Sequence, residues 1–106
     1  MSTDRLSVDP PGVDASGFDA DRAWCLHPRV ALRPEPFGAL AYHRDNRRLN
    51  FLRAPELVEL VESLAGHPDA HRAFAESGID RRRWPSFERA LAALAGSDVI
   101  IERPAP

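Results

Sequence analysis

Two histidines separated by four positions, with a carboxylate between them, form the pattern in this chain closest to a metal site. His67, Asp69 and His71 lie in the segment HPDAH, and histidines at i and i+4 share one face of a helix. Pro68 places His67 at a helix boundary, because proline is tolerated only in the first turn of a helix. The surrounding sequence supplies no evident third ligand. We therefore predict that the chain holds no metal.

Covalent catalysis is the second chemistry to consider, and it rests on a single cysteine, Cys25. One cysteine excludes an internal disulfide and a cysteine-based metal or iron–sulfur site. Cys25 follows Trp24, and the sequence places no base near it, so we expect a small buried hydrophobic residue rather than a nucleophile. No Ser/His/Asp set, phosphate-binding loop or catalytic carboxylate pair emerges either. The sequence predicts a protein that is not an enzyme and carries no cofactor.

Composition narrows the class of protein further. The chain has 106 residues, the size of one domain, and all 14 of its Lys and Arg residues are arginine. Its formal net charge of −2 argues against a general nucleic-acid-binding protein, which is usually clearly basic. The apolar runs are too short for a membrane span, and the N-terminus lacks the pattern of a secretion signal. We expect a cytoplasmic protein.

The domain that would carry a function begins near Trp24. Residues 1–21 are rich in Asp, Ser, Pro and Gly and lack apolar periodicity, which predicts a disordered N-terminal arm. Residues 22–103 form the predicted domain. Leu26, Val30 and Leu32 alternate with polar residues, and Pro28 confines their segment to a sheet edge or to the start of a strand.

A hairpin is predicted from Gly38–His43 and Arg47–Leu52, with Asp45 and Asn46 between them. Asp and Asn tolerate the positive φ angles of tight hairpin turns. Side chains alternate along a strand, so four apolar residues share one face of the hairpin: Leu40, Tyr42, Leu49 and Phe51. Arg48 and Asn50 point the other way.

Three helices and a short strand follow the hairpin. Leu57, Leu60, Val61 and Leu64 have the i, i+3, i+4, i+7 spacing of a core-facing helix. That helix begins at Pro55 and is followed by helices over Pro68–Ser77 and Ser86–Ala95, and by a strand over Val99–Ile101. The predicted fold class is therefore α+β, a winged helix-turn-helix in which a small three-stranded antiparallel sheet precedes three helices.

The sequence also resembles a known family, the mycofactocin biosynthesis peptide chaperones. They belong with the pyrroloquinoline-quinone peptide chaperones and the wider class of RiPP precursor recognition elements. The resemblance covers residues 24–101 and is most specific over 24–64. It is carried by Trp24, Leu26, Pro28, Val30, Leu32, Arg33, Glu35, Phe37, Gly38, Ala39, Leu40, Tyr42, Arg48, Leu49, Phe51, Leu52, Pro55, Leu57 and Leu60.

This resemblance implies a winged-helix domain that binds the leader of a short ribosomal precursor peptide and presents it to a radical S-adenosylmethionine maturase. In the family the peptide adds a strand to the third strand of the sheet and packs against the third helix. The peptide-binding residues implied here are Arg47, Arg48, Leu49, Asn50, Phe51 and Leu52 on the strand, and Arg83, Phe87 and Leu91 on the helix.

Several of these positions have a simpler interpretation. Apolar periodicity usually means burial, so Leu49, Phe51, Phe87 and Leu91 are individually expected in the core rather than in a groove. The basic run Arg81–Arg83 is either a solvated turn or a surface that attracts acidic residues of the peptide or the maturase.

Two other functions remain open. One alternative is a winged-helix DNA-binding regulator, whose third helix would contact DNA through Arg81, Arg82, Arg83 and Arg89. The other is a structural subunit of a larger assembly, since a peptide and a subunit can dock at the same sheet edge. Whether the chain is a monomer or a strand-exchanged dimer also stays open.

Overall fold

Two small antiparallel sheets and three helices make up residues 18–103, which are the residues that the computed structural model describes. In chain order the elements are β1 (Trp24–Leu26), β2 (Val30–Glu35), β3 (Gly38–His43), β4 (Leu49–Leu52), α1 (Pro55–Ser63), α2 (Ala70–Glu76), α3 (Trp84–Gly96) and β5 (Ile100–Glu102). The predicted α+β class, with a three-stranded sheet followed by three helices, is confirmed. Residues 1–17 of the predicted N-terminal arm lie outside the described residues.

The three-stranded sheet has the order β2-β3-β4, with β3 in the centre. Leu40 lies opposite Phe51 and Tyr42 opposite Leu49, so the predicted sharing of one face by these four side chains is confirmed. The other face carries Ala39 and Ala41 from β3, whose small side chains are buried under the helical layer.

In the turn between β3 and β4, the positive φ angle falls on a different residue from the two that were predicted. That residue is Arg47, with φ of 63°, and not Asp45 or Asn46. The Asn46 side chain instead accepts a hydrogen bond from the backbone N–H of Arg48 at 2.9 Å. Asn46 stabilises the turn through its side chain, and the left-handed conformation falls on its neighbour.

The segment before β3 forms two strands in different sheets rather than one interrupted strand. Trp24–Leu26 (β1) pairs with Ile100–Glu102 (β5), and Val30–Glu35 (β2) joins the three-stranded sheet. Pro28 separates β1 from β2 in a turn. The predicted late strand is confirmed one residue beyond its expected position. The pairing of β1 with β5 joins the N-terminal and C-terminal ends of the domain.

Helix α1 packs its apolar stripe against β3 and β4, and α2 and α3 add their apolar side chains to the same core. Leu57, Leu60 and Val61 of α1 and the following Leu64 are all at most 1 % exposed, which confirms the predicted core-facing stripe. The other large side chains with less than 2 % exposure are Phe74, Phe87, Leu52, Leu91, Leu94, Ile100 and Val99. Burial of each such side chain contributes about 1.5–3 kcal/mol before entropic costs.

The three helices begin in different ways. Pro55 occupies the first turn of α1, and Ala54 makes no side-chain capping bond. Asp69 accepts a hydrogen bond from Arg72 N at 2.7 Å and starts α2 at Ala70, later than the predicted Pro68. The third helix is longer than predicted, because a 3-10 turn over Arg81–Arg83 leads directly into Trp84.

His71 joins the N-terminal end of the described chain to α2 and α3. Its Nδ1 lies 2.7 Å from Asp21 Oδ1 and its Nε2 lies 3.0 Å from Glu88 Oε2. Burial would lower the pKa of His71, but the hydrogen bonds and negative charges of Asp21 and Glu88 outweigh burial and raise it above the ordinary 6.5. Protonated His71 therefore stabilises this three-way contact.

The His71 contact makes stability depend on pH. A group whose folded-state pKa is raised contributes all of its stability below its unfolded pKa and loses it as the pH rises through the folded pKa. We expect the melting temperature of the native chain to exceed that of His71→Gln by a margin that is largest below about pH 6.5 and shrinks at higher pH. Thermal unfolding of both proteins from about pH 6 to about pH 9 measures the margin. A constant margin would contradict the charge assignment.

Gly38 is required where the start of β3 passes the end of β4. Its φ is +148°, and a Cβ atom there would overlap Leu52 O. We expect Gly38→Ala to lower the free energy of unfolding by about 2 kcal/mol or more, because both the backbone angle and the contact are unfavourable. Gly66→Ala is the matched control, since a Cβ at Gly66 meets nothing within 4 Å. Urea unfolding should show little change for Gly66→Ala, and equal losses in both variants would contradict the argument.

Candidate functional site

The backbone edge of β4 is unpaired within residues 18–103. His43 N donates a hydrogen bond to Arg48 O at 3.0 Å, next to the β3–β4 register. Hydrogen-bonded pairs alternate in an antiparallel ladder, so Asn50 and Leu52 also bond to β3. The N–H and C=O groups of Leu49 and Phe51 consequently point outward from the sheet.

The opposite edge of the same sheet, at β2, offers fewer donors. Arg44 N bonds to Arg29 O at 2.9 Å, so by the same alternation Val30, Leu32 and position 34 point outward. Position 34 is a proline without an N–H, and Val30 N already donates to His27 O at 3.0 Å. The edge at β4 is therefore better suited to receive another strand.

The outer face of the sheet is apolar and exposed. Leu49 is 54 % exposed, Phe51 41 %, Tyr42 40 % and Phe37 36 %. The Phe37 and Phe51 rings stack with centroids 5.8 Å apart, and the guanidinium of Arg53 lies 5.0 Å above the Phe51 ring. The expectation that Leu49 and Phe51 belong to the core is wrong, because the helices cover the other face of the sheet.

The inner side of β4 holds Asn50 and Leu52. Leu52 is fully buried, and Asn50 is 7 % exposed, with no hydrogen-bond partner for its Nδ2 among the described residues. His43 is 3 % exposed, and its ring lies against the His27 ring in a tilted arrangement with centroids 4.5 Å apart. Its Nδ1 accepts backbone hydrogen bonds from the following turn. Asn50 and Leu52 can therefore support an added strand only through the position of their backbone.

The three residues predicted on the third helix differ from one another in exposure. Phe87 and Leu91 are fully buried, as the core interpretation expected. Arg83 is exposed, and its guanidinium lies 5.1 Å above the Phe87 ring and 3.3 Å from Glu56 Oε2. Arg83 thus joins the starts of α1 and α3, and it is the accessible member of the three.

The basic run before α3 is an exposed 3-10 turn whose charges are partly satisfied. Asp80 Oδ1 accepts a hydrogen bond from Arg82 N at 3.0 Å, and the two side chains form a loose ion pair at 3.6 Å. Arg81 covers the Trp84 ring at 5.0 Å. Exposed pairs of this kind contribute little to stability, so the run presents a solvated cationic surface.

The residues considered for catalysis or metal binding do not come together in one site. Both ring nitrogens of His71 contact carboxylates, and Cys25 is a half-buried free cysteine. Residues 18–103 contain no group of three or more His, Cys, Asp and Glu side chains that could hold a metal ion. No helix in that range is long and apolar enough to cross a bilayer. What the geometry offers is a strand edge with an apolar face beside it.

A small α+β domain with an unpaired strand edge and an exposed apolar sheet face has the features of a domain that binds another polypeptide. Comparison with known proteins agrees: residues 23–101 match the model of the peptide chaperone MftB family, and the chain belongs to that family. A peptide chaperone is an accessory protein and not an enzyme. Its partner is a peptide.

Similar curated proteins match the chain over most of their own length. The chain is 46 % identical over 102 residues to a peptide chaperone MftB of Mycobacterium tuberculosis, covering 92 % of this chain and 94 % of the relative. It is 44 % identical to that of Mycobacterium ulcerans, covering 94 % of both chains. The match to the Mycolicibacterium smegmatis protein is 45 % identical over 79 % of this chain and 82 % of the relative. No solved structure matches the chain significantly.

The turn before β4 holds Arg47 in a left-handed backbone conformation, with φ of 63°. A left-handed conformation costs a residue with a side chain about 1–2 kcal/mol, and glycine adopts it freely. We expect Arg47→Gly to raise the free energy of unfolding by about 1 kcal/mol, as measured by urea denaturation. Arg48→Gly removes the same charge where φ is not positive, so it should be neutral or destabilising. A gain in both variants would point to charge repulsion instead of backbone strain.

Proposed function

We propose that this chain is the peptide chaperone of mycofactocin biosynthesis in its cell. It binds the leader of the short precursor peptide as an added strand at the edge of β4 and delivers it to the radical S-adenosylmethionine maturase in the cytoplasm. The observation that carries this proposal is the unpaired edge of β4, where Leu49 and Phe51 have both outward backbone groups and exposed apolar side chains.

Strand addition at this edge has a favourable energetic basis. Leu49 and Phe51 together offer two N–H donors and two C=O acceptors, and each hydrogen bond made contributes about 0.5–1.5 kcal/mol net. Alternate side chains of the peptide would lie beside the exposed Leu49 and Phe51 side chains, where burial adds about 25 cal/mol per Å² of apolar surface. The backbone bonds supply affinity, and the side chains supply selectivity.

The remaining predicted residues either support the site from the core or lie exposed beside it. Asn50 and Leu52 hold β4 in register from the inner side, and Phe87 and Leu91 hold the helical layer on which the sheet rests. The cationic residues Arg47, Arg48 and Arg83 are exposed, and they would attract acidic residues of the peptide. Only these exposed cations and the outward residues of β4 would contact the peptide directly.

A DNA-binding regulator is a weaker proposal for the same fold. The net charge of −2 is unfavourable near phosphates. Membership of a peptide chaperone family favours the peptide as partner, so the proposal includes no role for nucleic acid.

Proline at Phe51 tests strand addition directly. Because the Phe51 N–H points outward, Phe51→Pro removes a donor from the open edge while the ladder to β3 stays intact. We expect peptide affinity, measured by calorimetry with the precursor peptide encoded beside the gene, to fall at least about tenfold, as loss of about 1.4 kcal/mol implies. The fold should survive, with a cooperative melting transition.

Two controls make this result specific. Phe51→Leu keeps the N–H and an apolar side chain, so it should retain most of the affinity. Asn50→Pro removes a donor that bonds to β3 and should unfold the sheet. If folded Phe51→Pro binds the peptide as tightly as Phe51→Leu, the peptide does not add to this edge.

A further inference from the structure

An exposed apolar patch extends from β4 across the outer face of the sheet. We call it the outer-face patch: Phe37, Leu40, Tyr42, Leu49 and Phe51. Four of these side chains are at least 36 % exposed, and Leu40, between them on the central strand, is half-buried. Contiguous apolar surface of this kind marks an interaction site more often than an inert surface.

A peptide strand at the edge of β4 would not cover the whole patch. Neighbouring strands lie about 4.8 Å apart, so an added strand would run about 10 Å from β3. Its side chains would meet Leu49 and Phe51 on the adjacent strand. Leu40 and Tyr42 lie one strand further away. The patch is therefore wider than the peptide that the edge receives, and its inner half needs a second occupant.

The charges that border the patch are cationic. Arg53 lies over the Phe51 ring, and Arg44 follows Tyr42 by two residues at the end of β3. Neither forms an ion pair with another described residue. Arg33, on the β2 side, is paired with Glu35 at 3.2 Å. The border thus carries net positive charge, although the whole chain has a net charge of −2.

This border favours one kind of occupant. A second copy docked face to face would bring the same unpaired arginines together, and like charges across an interface are unfavourable. A folded protein with an apolar centre and an acidic rim would complement the patch in both respects.

We infer that the outer-face patch is the docking surface for the maturase, which contacts it through an apolar surface with an acidic rim while the peptide occupies the edge of β4. This inference rests on the proposed function and adds the surface through which the enzyme is engaged. Phe51 would lie where the two partners meet. Peptide and enzyme would therefore contact adjoining but separate surfaces of the same sheet.

Substitution on the central strand separates the two surfaces. Leu40→Thr/Tyr42→Thr removes the outward apolar groups of β3 and introduces β-branched side chains, which suit a strand. Binding of the full-length variant to the radical S-adenosylmethionine enzyme encoded beside the gene, and to the precursor peptide, is measured by calorimetry. We expect enzyme affinity to fall at least about tenfold and peptide affinity to stay within about twofold of the native value.

A charge variant tests the border independently. Arg44→Glu should slow association with the enzyme at low salt, and the difference should shrink as ionic strength rises. Arg72→Glu is the matched control, since Arg72 is an exposed arginine on α2 rather than on the sheet. An equal effect of both reversals would overturn the charge argument.

The other outcomes of the double substitution identify other occupants. A native dimer that becomes a monomer in the double variant would assign the patch to a second copy. A large fall in melting temperature of the isolated chain would assign it to a segment of the chain itself. A loss of peptide affinity equal to the loss of enzyme affinity would assign the whole patch to the peptide. Unchanged enzyme affinity would overturn this inference alone, whereas a native chain that binds neither partner would overturn the proposed function with it.

Discussion

The central strand β3 determines how the rest of this molecule is arranged. Its residues bond alternately to β2 and to β4, and its side chains alternate between Ala39 and Ala41 on the inner face and Leu40 and Tyr42 on the outer face. Small inner side chains allow the helical layer to approach closely. Because the helical layer covers that face alone, the larger apolar side chains remain in contact with solvent. The edge of β4 remains open because no other strand within residues 18–103 pairs with it.

Open strand edges favour unwanted association, and the two edges of the three-stranded sheet differ in how readily they can accept another strand. The edge at β2 is limited by Pro34 and by the turn at His27, which takes the Val30 N–H. The edge at β4 has no proline and carries exposed Leu49 and Phe51. Since β5 pairs with β1 and closes the other sheet, it does not occupy β4. This asymmetry agrees with a protein that recognises a peptide at one edge only.

Several features followed from local sequence rules. The spacing of Leu57, Leu60, Val61 and Leu64 placed α1 correctly, and the period of two in the hairpin grouped Leu40 with Tyr42. Other features needed information from distant residues. The pairing of Trp24–Leu26 with Ile100–Glu102 joins segments more than 70 positions apart, and no local pattern specifies such a partner. The positive φ of Arg47 is a local feature that the residue types did not specify, because Asp and Asn are the residues that usually adopt it, and Asn46 instead bonds through its side chain to Arg48 N.

The sequence by itself determined the family, the order of the elements and which side chains share a face. Only the tertiary structure decided which face of the hairpin is covered. A period of two separates the two faces but does not name the inner one, and apolar residues such as Leu49 and Phe51 are usually assigned to the core. Here the helices pack on the face of Ala39, Ala41 and Leu52, where small residues permit close packing. The apolar face that the alternation identified is therefore the one turned outward.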